Sequence, residues 1–219
     1  MATNRLRYTF QLYDQNHKAI QSSGGVVYVA ASGDAAKQAI TDKDGTALAN
    51  PRALTRGACE FYVVDTAVDV DLYIQTPGGQ FVVKQDFAAG ETPDIVVDTD
   101  CRNQVMVIPW AAADVTAATE TATGFTEPTS AVFLLQGAGC RVTAIDATET
   151  LDVGTLSTDS GDADGFLSAL DVATAVDVLD NGALLASLGH VGAGKSITLT
   201  TTAGSDTGKG FIHLPYVLS

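Results

Sequence analysis

The sequence has no long apolar run. No stretch of its 219 residues approaches the roughly 18 consecutive apolar residues that a membrane-spanning helix needs. The N-terminal residues, MATNRLRYTF, also lack the apolar core of a secretory signal. We therefore expect a soluble protein with no membrane partner, made in a cytoplasm without export.

Basic residues are scarce. Twelve Lys and Arg stand against 26 Asp and Glu, which gives a formal net charge of −14. A field of that sign repels phosphate backbones, so we expect no direct binding of nucleic acid. The same charge favours solubility and leaves room for divalent cations.

Cysteine is also rare. Cys59, Cys101 and Cys140 lie far apart in the sequence, with no CxxC pair and no histidine at ligand spacing. An odd, widely spaced set fits reduced and partly buried thiols better than a disulfide framework or a zinc site. The sequence leaves a single disulfide as an alternative.

Signatures of catalysis are missing. The sequence contains no GxSxG, no HExxH and no pattern of a catalytic cysteine. The three histidines, His17, His190 and His213, fall in a turn, a Gly-rich loop and a terminal strand, and none lies beside a recognisable nucleophile. We expect a protein that is not an enzyme.

The sequence is rich in turn residues that separate short β-forming runs. Residues 41–83 alternate β-branched and aromatic runs with the turn signals Asp44-Gly45, Asn50-Pro51 and Pro77-Gly78-Gly79. The same pattern continues through most of the chain. It predicts an all-β protein built from small antiparallel sandwich-like or barrel-like units.

A change in composition divides the chain into two predicted units. Residues 111–123 are rich in Ala and Thr and poor in large apolar residues. We interpret them as a linker between an N-terminal unit of residues 1–110 and a C-terminal unit of residues 124–219. A short helix in this linker is the alternative, and the spacing of Leu167 and Leu170 permits another within residues 167–176.

One segment matches the pattern of a phosphate-binding loop. The sequence GHVGAGKS places Gly189, Gly194, Lys195 and Ser196 as the pattern requires. A true phosphate-binding loop leads into a helix whose N-terminus helps to hold the phosphates. Here SITLTTT follows Lys195 and predicts a strand over residues 196–201. We therefore expect a Gly-rich hairpin turn and no nucleotide cofactor.

An acidic loop is the candidate metal site. In the sequence SGDADGF, Asp162 and Asp164 align with two ligand positions of a calcium-binding loop, and Asp171 aligns with the last one. Clustered carboxylates can hold a hard cation when carbonyl groups complete the shell. The alternative is an acidic, solvated turn, and we expect no other cofactor.

Several sequence segments resemble those of a known class of protein. The first half resembles structural proteins of tailed bacteriophage particles. The segments that carry this resemblance are VVYVAASGDAAKQAITDKDGTALANP, LTRGACEFYV and VDLYIQTPGGQFVV. This half is also similar to immunoglobulin-like carbohydrate-binding or regulatory domains, through its turn at Asp44-Gly45 and its segment YIQTPG. In the second half, ETLDVGTLSTDSGDADGFLSALDVATA and GKSITLTTTAGSDTGKGFIHLPYVLS resemble the same class of virion protein.

The resemblance implies a role in the virion. Within this class the most similar role is a head decoration, or cement, protein, which is β-rich, often a homotrimer, and binds the outer face of the major capsid protein lattice. It implies synthesis in the host cytoplasm and a final location on the capsid surface. The alternatives are a tail, baseplate or head-fibre component with a glycan-binding domain, and a carbohydrate-binding module of a bacterial surface protein. Two pairs of arginines could meet acidic capsid loops: Arg5 with Arg7, and Arg52 with Arg56.

Overall fold

The computed structural model describes residues 5–64, 69–116, 118–145, 150–173, 177–178, 190–202 and 207–219. Within these ranges the regular elements are β-strands and three short 3-10 turns, at residues 112–114, 135–137 and 157–159. The predicted all-β class is confirmed. The chain divides into two compact units, Met1–Cys101 and Arg102–Ser219.

The first unit consists of two sheets around one core. Strands β1, β4 and β7 form a three-stranded sheet in the order β4-β1-β7, and the other four form a sheet in the order β3-β2-β5-β6. The pairs are antiparallel except β1 with β7, which is parallel. The strands are β1 (Arg5–Asp14), β2 (Val26–Ala31), β3 (Arg52–Ala53), β4 (Ala58–Val64), β5 (Asp69–Gln75), β6 (Phe81–Ala88) and β7 (Asp94–Val97).

The core of this unit draws side chains from both sheets. Tyr8 on β1 stacks on Phe61 of β4 with ring centroids 5.2 Å apart, and Val29 and Leu72 belong to the same buried cluster from the other sheet. Alternate residues of β1 and β4 point inwards, as expected for strands with one face in a core. Two facing sheets that share a core make a sandwich. Its strand order is not the order of an immunoglobulin constant domain.

The second unit also contains two sheets. The larger has the order β14-β11-β17-β10-β15, with β8 paired along the other side of β17. The smaller has the order β13-β12-β16-β9. The strands are β8 (Asn103–Ala111), β9 (Thr121–Thr126), β10 (Val132–Phe133), β11 (Gly139–Ala144), β12 (Thr150–Thr155), β13 (Leu167–Asp171), β14 (Asp177–Val178), β15 (His190–Val191), β16 (Ser196–Thr201) and β17 (Lys209–Val217).

The boundary between the units differs from the predicted one. We assigned residues up to 110 to the first unit, but β8 pairs with β17 over nine residue pairs, from Asn103 with Val217 to Ala111 with Lys209. The physical reason is that β8 completes the ladder of a strand far along the chain and not that of its neighbour in sequence. Residues 111–123 therefore lie within the second unit, where Ala111 ends β8 and Thr121 begins β9.

The helical alternatives also differ from the structure. Residues 167–171 are the strand β13, and residues 112–114 make a single 3-10 turn in the Ala/Thr-rich segment. The strand predicted over residues 196–201 is confirmed. The β-forming pattern of the sequence also predicts a strand over residues 183–188, and these lie outside the described residues.

The cysteines are unbridged, as expected for reduced thiols. Cys59 and Cys140 are buried in separate units, and Cys101 is partly exposed. Burial raises the pKa of the Cys59 thiol to about 11 and that of the Cys140 thiol to about 12. Trp110 donates its indole N–H to the sulfur of Cys140, 3.3 Å away.

Candidate interaction surface

The Gly-rich loop connects two strands of the second unit. β15 precedes it, β16 begins at Ser196, and Gly194 has a φ of +77°. At Gly192 a Cβ atom would collide with the carbonyl oxygen of Pro128, so only glycine fits there. Gly189 lies outside the described residues. Because a strand follows Lys195, the helix N-terminus that a phosphate-binding loop uses is not formed here.

The acidic loop lies next to the Gly-rich loop. Lys195 Nζ donates a hydrogen bond to the carbonyl oxygen of Ser160 at 2.5 Å. The ammonium group of this lysine is therefore already bonded to the backbone of the acidic loop. The loop itself is fixed to β12, because Thr155 N–H donates to Asp162 O at 2.7 Å and Asp162 N–H donates to Thr155 Oγ1 at 2.9 Å. Two segments that are more than 30 residues apart in sequence thus meet.

One of the three predicted calcium ligands, Asp171, does not lie with the other two. Asp162 and Asp164 lie together in the loop, where their hydrogen bond raises the pKa of Asp162 and lowers that of Asp164. Asp171 ends β13, opposite Thr150, and accepts the N–H of Ala173. An extended strand from residue 167 carries Asp171 away from the loop, which a helical turn would not have done. Among the described residues, no three His, Cys, Asp or Glu form a group that could hold a metal ion.

A buried carboxylate supports the Gly-rich loop. Glu127 is only 1% exposed; its Oε1 contacts His190 Nε2, and its Oε2 accepts the N–H of Ala193 at 2.9 Å. Burial raises the pKa of Glu127, but the bonds from His190 and Ala193 outweigh it and hold the pKa below the ordinary value. His190 also packs against the rings of Phe133 and Phe166. Glu127 and His190 together fix β15 and the Gly-rich loop to the rest of the unit.

The sequence pattern does not reveal the role of Glu127. It lies 63 residues from His190, in a turn-like segment with no local signal of burial. Only the tertiary fold brings the two side chains together.

The outer face of the large sheet is the main exposed apolar feature of the second unit. We use this name for the outward-pointing residues of β8, β10, β15 and β17. Along β17, residues alternate between buried and half-exposed, so Ile212, Leu214 and Tyr216 face the core. The half-exposed residues between them face outwards and are themselves mostly apolar: Phe211, Pro215 and Val217, together with His213.

Neighbouring strands extend this face with further apolar residues. Val132 lies opposite both Val191 and Val217, and Val105 lies opposite Pro215. The exposed fractions are 62% for Val191, 47% for Val105 and 40% for Val132. Directly opposed residues of antiparallel strands share a face, with Cβ atoms about 5 Å apart. The valines and Pro215 therefore form a continuous surface and are not isolated exposed residues.

The exposed apolar residues concentrate at one end of this face. β8 and β17 run side by side over the outward residues from Phe211 to Val217, which span about 20 Å at ordinary strand spacing. β10 and β15 are two residues long and widen the face to four strands, about 14 Å, only at Val132 and Val191. Pro109, opposite Phe211, is buried, so the exposed apolar part lies towards Val217.

The charge on the outer face of the large sheet differs from the charge of the rest of the protein. Strands β8, β10, β11, β15 and β17 contain no Asp or Glu, whereas residues 102–219 contain 13 of them and only four Lys and Arg. Two of those four, Arg141 and Lys209, lie at the β11 side of this face, where Arg141 pairs with Phe211. The short edge strand β14 places Asp177 next to Arg141 in register.

The first arginine pair proposed from sequence, Arg5 with Arg7, already has contacts within the first unit. Arg7 donates to the carboxylate of Glu60 through Nε at 3.0 Å, so its charge is already balanced within the first unit. Arg5 lies over Gly45, where a Cβ atom would collide with the guanidinium.

Comparisons with known proteins give one weak likeness. No family model and no curated protein matches the chain. Among solved structures, a variant of the major pilin subunit of Bacillus cereus aligns with 99% of this chain at 11% identity and a TM-score of 0.23. The chain spans 59% of the length of that pilin. A likeness of this strength carries no argument about fold or function. In the part of the chain that the structure describes, no helix is long and apolar enough to cross a membrane.

Proposed function

We propose that this protein is a structural component of a bacteriophage particle that decorates the capsid by binding the outer face of the major capsid protein lattice. The observation that carries the proposal is the outer face of the large sheet. It is apolar, and the four strands that form it, β8, β10, β15 and β17, lack acidic residues, on a protein whose net charge is −14.

The charge distribution explains why one face would bind while the others do not. Copies that carry −14 repel one another and other acidic surfaces, which keeps the free protein dispersed before assembly. Association then requires a surface where that repulsion is absent and apolar area can be buried. The outer face of the large sheet meets both conditions.

A regular lattice adds affinity through repetition. Several modest contacts from one oligomer act together, because binding of the first copy raises the effective concentration of the others at neighbouring sites. A homotrimer placed on a lattice with local threefold symmetry would gain in this way. The proposal therefore needs no single tight interface and no catalytic group.

The test is the copy number of the protein in purified particles. Quantitative mass spectrometry should find the protein in a fixed, high ratio to the major capsid protein. A few copies per particle would point instead to a tail, baseplate or head-fibre component. Absence from the particles would refute the proposal.

A further inference from the structure

We infer that the buried contact between Glu127 and His190 is an acid-sensitive latch, which holds β15 and the Gly-rich loop in place at neutral pH and releases them on acidification. The release is local, because the long ladder between β8 and β17 involves neither side chain. This inference goes beyond the proposed function and does not depend on it, since it concerns a conformational change within the second unit and needs no partner.

The latch joins a short edge strand to a buried carboxylate. β15 consists of His190 and Val191, pairs with β10 at these two positions, and is the last strand in the order of its sheet. So short a pairing has little stability of its own. Glu127 adds a contact with His190 and accepts the N–H of Ala193, in the loop that follows, at 2.9 Å. The two oxygen atoms of one carboxylate thus hold the strand and the loop together.

The surroundings of this pair make it sensitive to charge. Glu127 is 1% exposed, and His190 packs against the rings of Phe133 and Phe166, with centroids 6.0 Å and 5.2 Å away. A buried charged group is stable only while its partner is present. A histidine side chain carries a positive charge in acid, so protonation of Glu127 leaves that charge facing a neutral group. The attraction that holds β15 to the carboxylate is then lost.

Further charged groups lie near the pair, on the acidic and Gly-rich loops: Asp162, Asp164 and Lys195. The ammonium group of Lys195 is bonded to the backbone of the acidic loop. The hydrogen bond with Asp164 raises the pKa of Asp162, and the charge of His190 opposes this. A raised pKa means that protonation of Asp162 favours the folded loop. The bonds with Asp162 and Ser168 lower the pKa of Asp164, and both bonds lie away from β15.

The direction of the pH response follows from Glu127. Burial raises its pKa, but the bonds from His190 and Ala193 outweigh burial and hold the pKa below the ordinary value of 4.5. The latch is therefore closed above that value and opens as the pH falls through the lower pKa of the folded protein. Because Val191 is 62% exposed on the outer face of the large sheet, opening also changes that face.

The experiment is a titration of the isotopically labelled full-length chain from neutral pH to about pH 3, followed by nuclear magnetic resonance. The nuclear Overhauser contact between Val132 and Val191, which lie opposite each other, reports whether β15 is docked on β10. The contact between Ile108 and Ile212, which are paired in β8 and β17, reports the state of the rest of the sheet. We expect the first contact to be lost with a midpoint below pH 4.5 while the second persists.

The amide signal of Ala193 assigns the transition to the carboxylate. Its shift follows the charge of its acceptor, Glu127, so the shift and the loss of the contact between Val132 and Val191 should have the same midpoint. Glu127→Gln cannot titrate and should show neither change. Asp162→Asn removes a neighbouring carboxylate instead and should keep the wild-type transition. If Glu127→Gln does not fold, the comparison of the two midpoints in wild type still decides the question.

Several results would overturn the inference. If the contact between Val132 and Val191 survives below the midpoint of the Ala193 shift, Glu127 takes up its proton without releasing β15. If the contacts of β15 and of β8 are lost together, the unit unfolds as a whole and contains no local latch. A transition that persists in folded Glu127→Gln, or that disappears in Asp162→Asn, would assign the pH response to another group.

Discussion

At the scale of single residues, Glu127 is the side chain that holds β15 and the Gly-rich loop in place. Its carboxylate is almost completely buried and holds both His190 and the backbone N–H of Ala193. Such a group stabilises a fold only while its partners are present, because an unpaired buried polar group costs free energy.

We expect Glu127→Ala to lower the free energy of unfolding by about 2–3 kcal/mol, since it leaves His190 and the Ala193 N–H without their acceptor. Urea denaturation measures the change. Glu91→Ala removes an exposed carboxylate of the first unit and should alter stability by less than about 0.5 kcal/mol. Equal effects of the two substitutions would contradict the account.

The stabilising effect of Glu127 should depend on pH. Its pKa is lowered in the folded protein below the ordinary value of 4.5, so its contribution is complete above that value and is lost as the pH falls through the lower, folded pKa. The difference in unfolding free energy between wild type and Glu127→Gln should therefore be constant from pH 7 to about pH 5 and shrink below that range. If this difference in unfolding free energy instead grew as the pH fell, the pKa of Glu127 would be raised in the folded protein and not lowered.

Lys195 should have no role in binding nucleotides. Its Nζ donates to Ser160 O, and a strand follows it. Isothermal titration with ATP and Mg²⁺ should detect no binding to wild type and none to Lys195→Ala. Tight binding by wild type that is lost in the variant would overturn our interpretation of the Gly-rich loop.

At the scale of elements, Asp71 on β5 connects two neighbouring strands of the first unit. It is 2% exposed and accepts the N–H of Gly33, after β2, at 3.0 Å, and the N–H of Asp86, on β6, at 2.9 Å. Asp86 has a φ of +50°, beside the point where the register between β5 and β6 shifts. The carboxylate thus accepts hydrogen bonds from two backbone N–H groups that the regular bonding between strands does not use.

We expect Asp71→Ala to cost about 2 kcal/mol of stability and Asp71→Asn to cost less, because the amide oxygen can still accept one of the two N–H groups. Denaturation midpoints measure both. Asp94→Ala, at an exposed position on β7, is the control and should be nearly neutral. If the Asp71→Asn variant were less stable than the Asp71→Ala variant, the proposed hydrogen bonds of Asp71 would be contradicted.

How far the sequence predicts these elements depends on the range of the contacts. Local signals located β16 correctly, because alternation of Ile197 and Leu199 with threonines is visible in the sequence. The same signals could not place β8, since its partner β17 is about 100 residues away. Pairing across such distances is decided by burial in the complete sheet, which a single sequence does not reveal.

The outer face of the large sheet is an intermediate case. β17, KGFIHLPYV, carries apolar residues at both alternating sets of positions, a pattern that indicates a strand with two apolar faces. That signal was available in the sequence. What the sequence could not supply is which of the two faces lies in the core and which stays exposed next to Val105 and Val191.

At the scale of the whole molecule, each unit has its own buried side chains and its own sheets. Phe61 is fully buried in the first unit, stacked on Tyr8. We expect Phe61→Ala to cost about 3–5 kcal/mol, as for other large core side chains. Hydrogen exchange should then accelerate in residues 5–101 and change little in residues 102–219. Equal acceleration in both units would show that they unfold as one.

The central claim is that the protein covers a capsid lattice through one apolar sheet face. The most direct measurement is a cryo-electron microscopy reconstruction of the particle that carries the protein. The account predicts density for the protein at repeated positions over the shell, with β8, β10 and β17 of the second unit against the major capsid protein. Density confined to the tail or to a single vertex, or a lattice contact made only by the first unit, would contradict it.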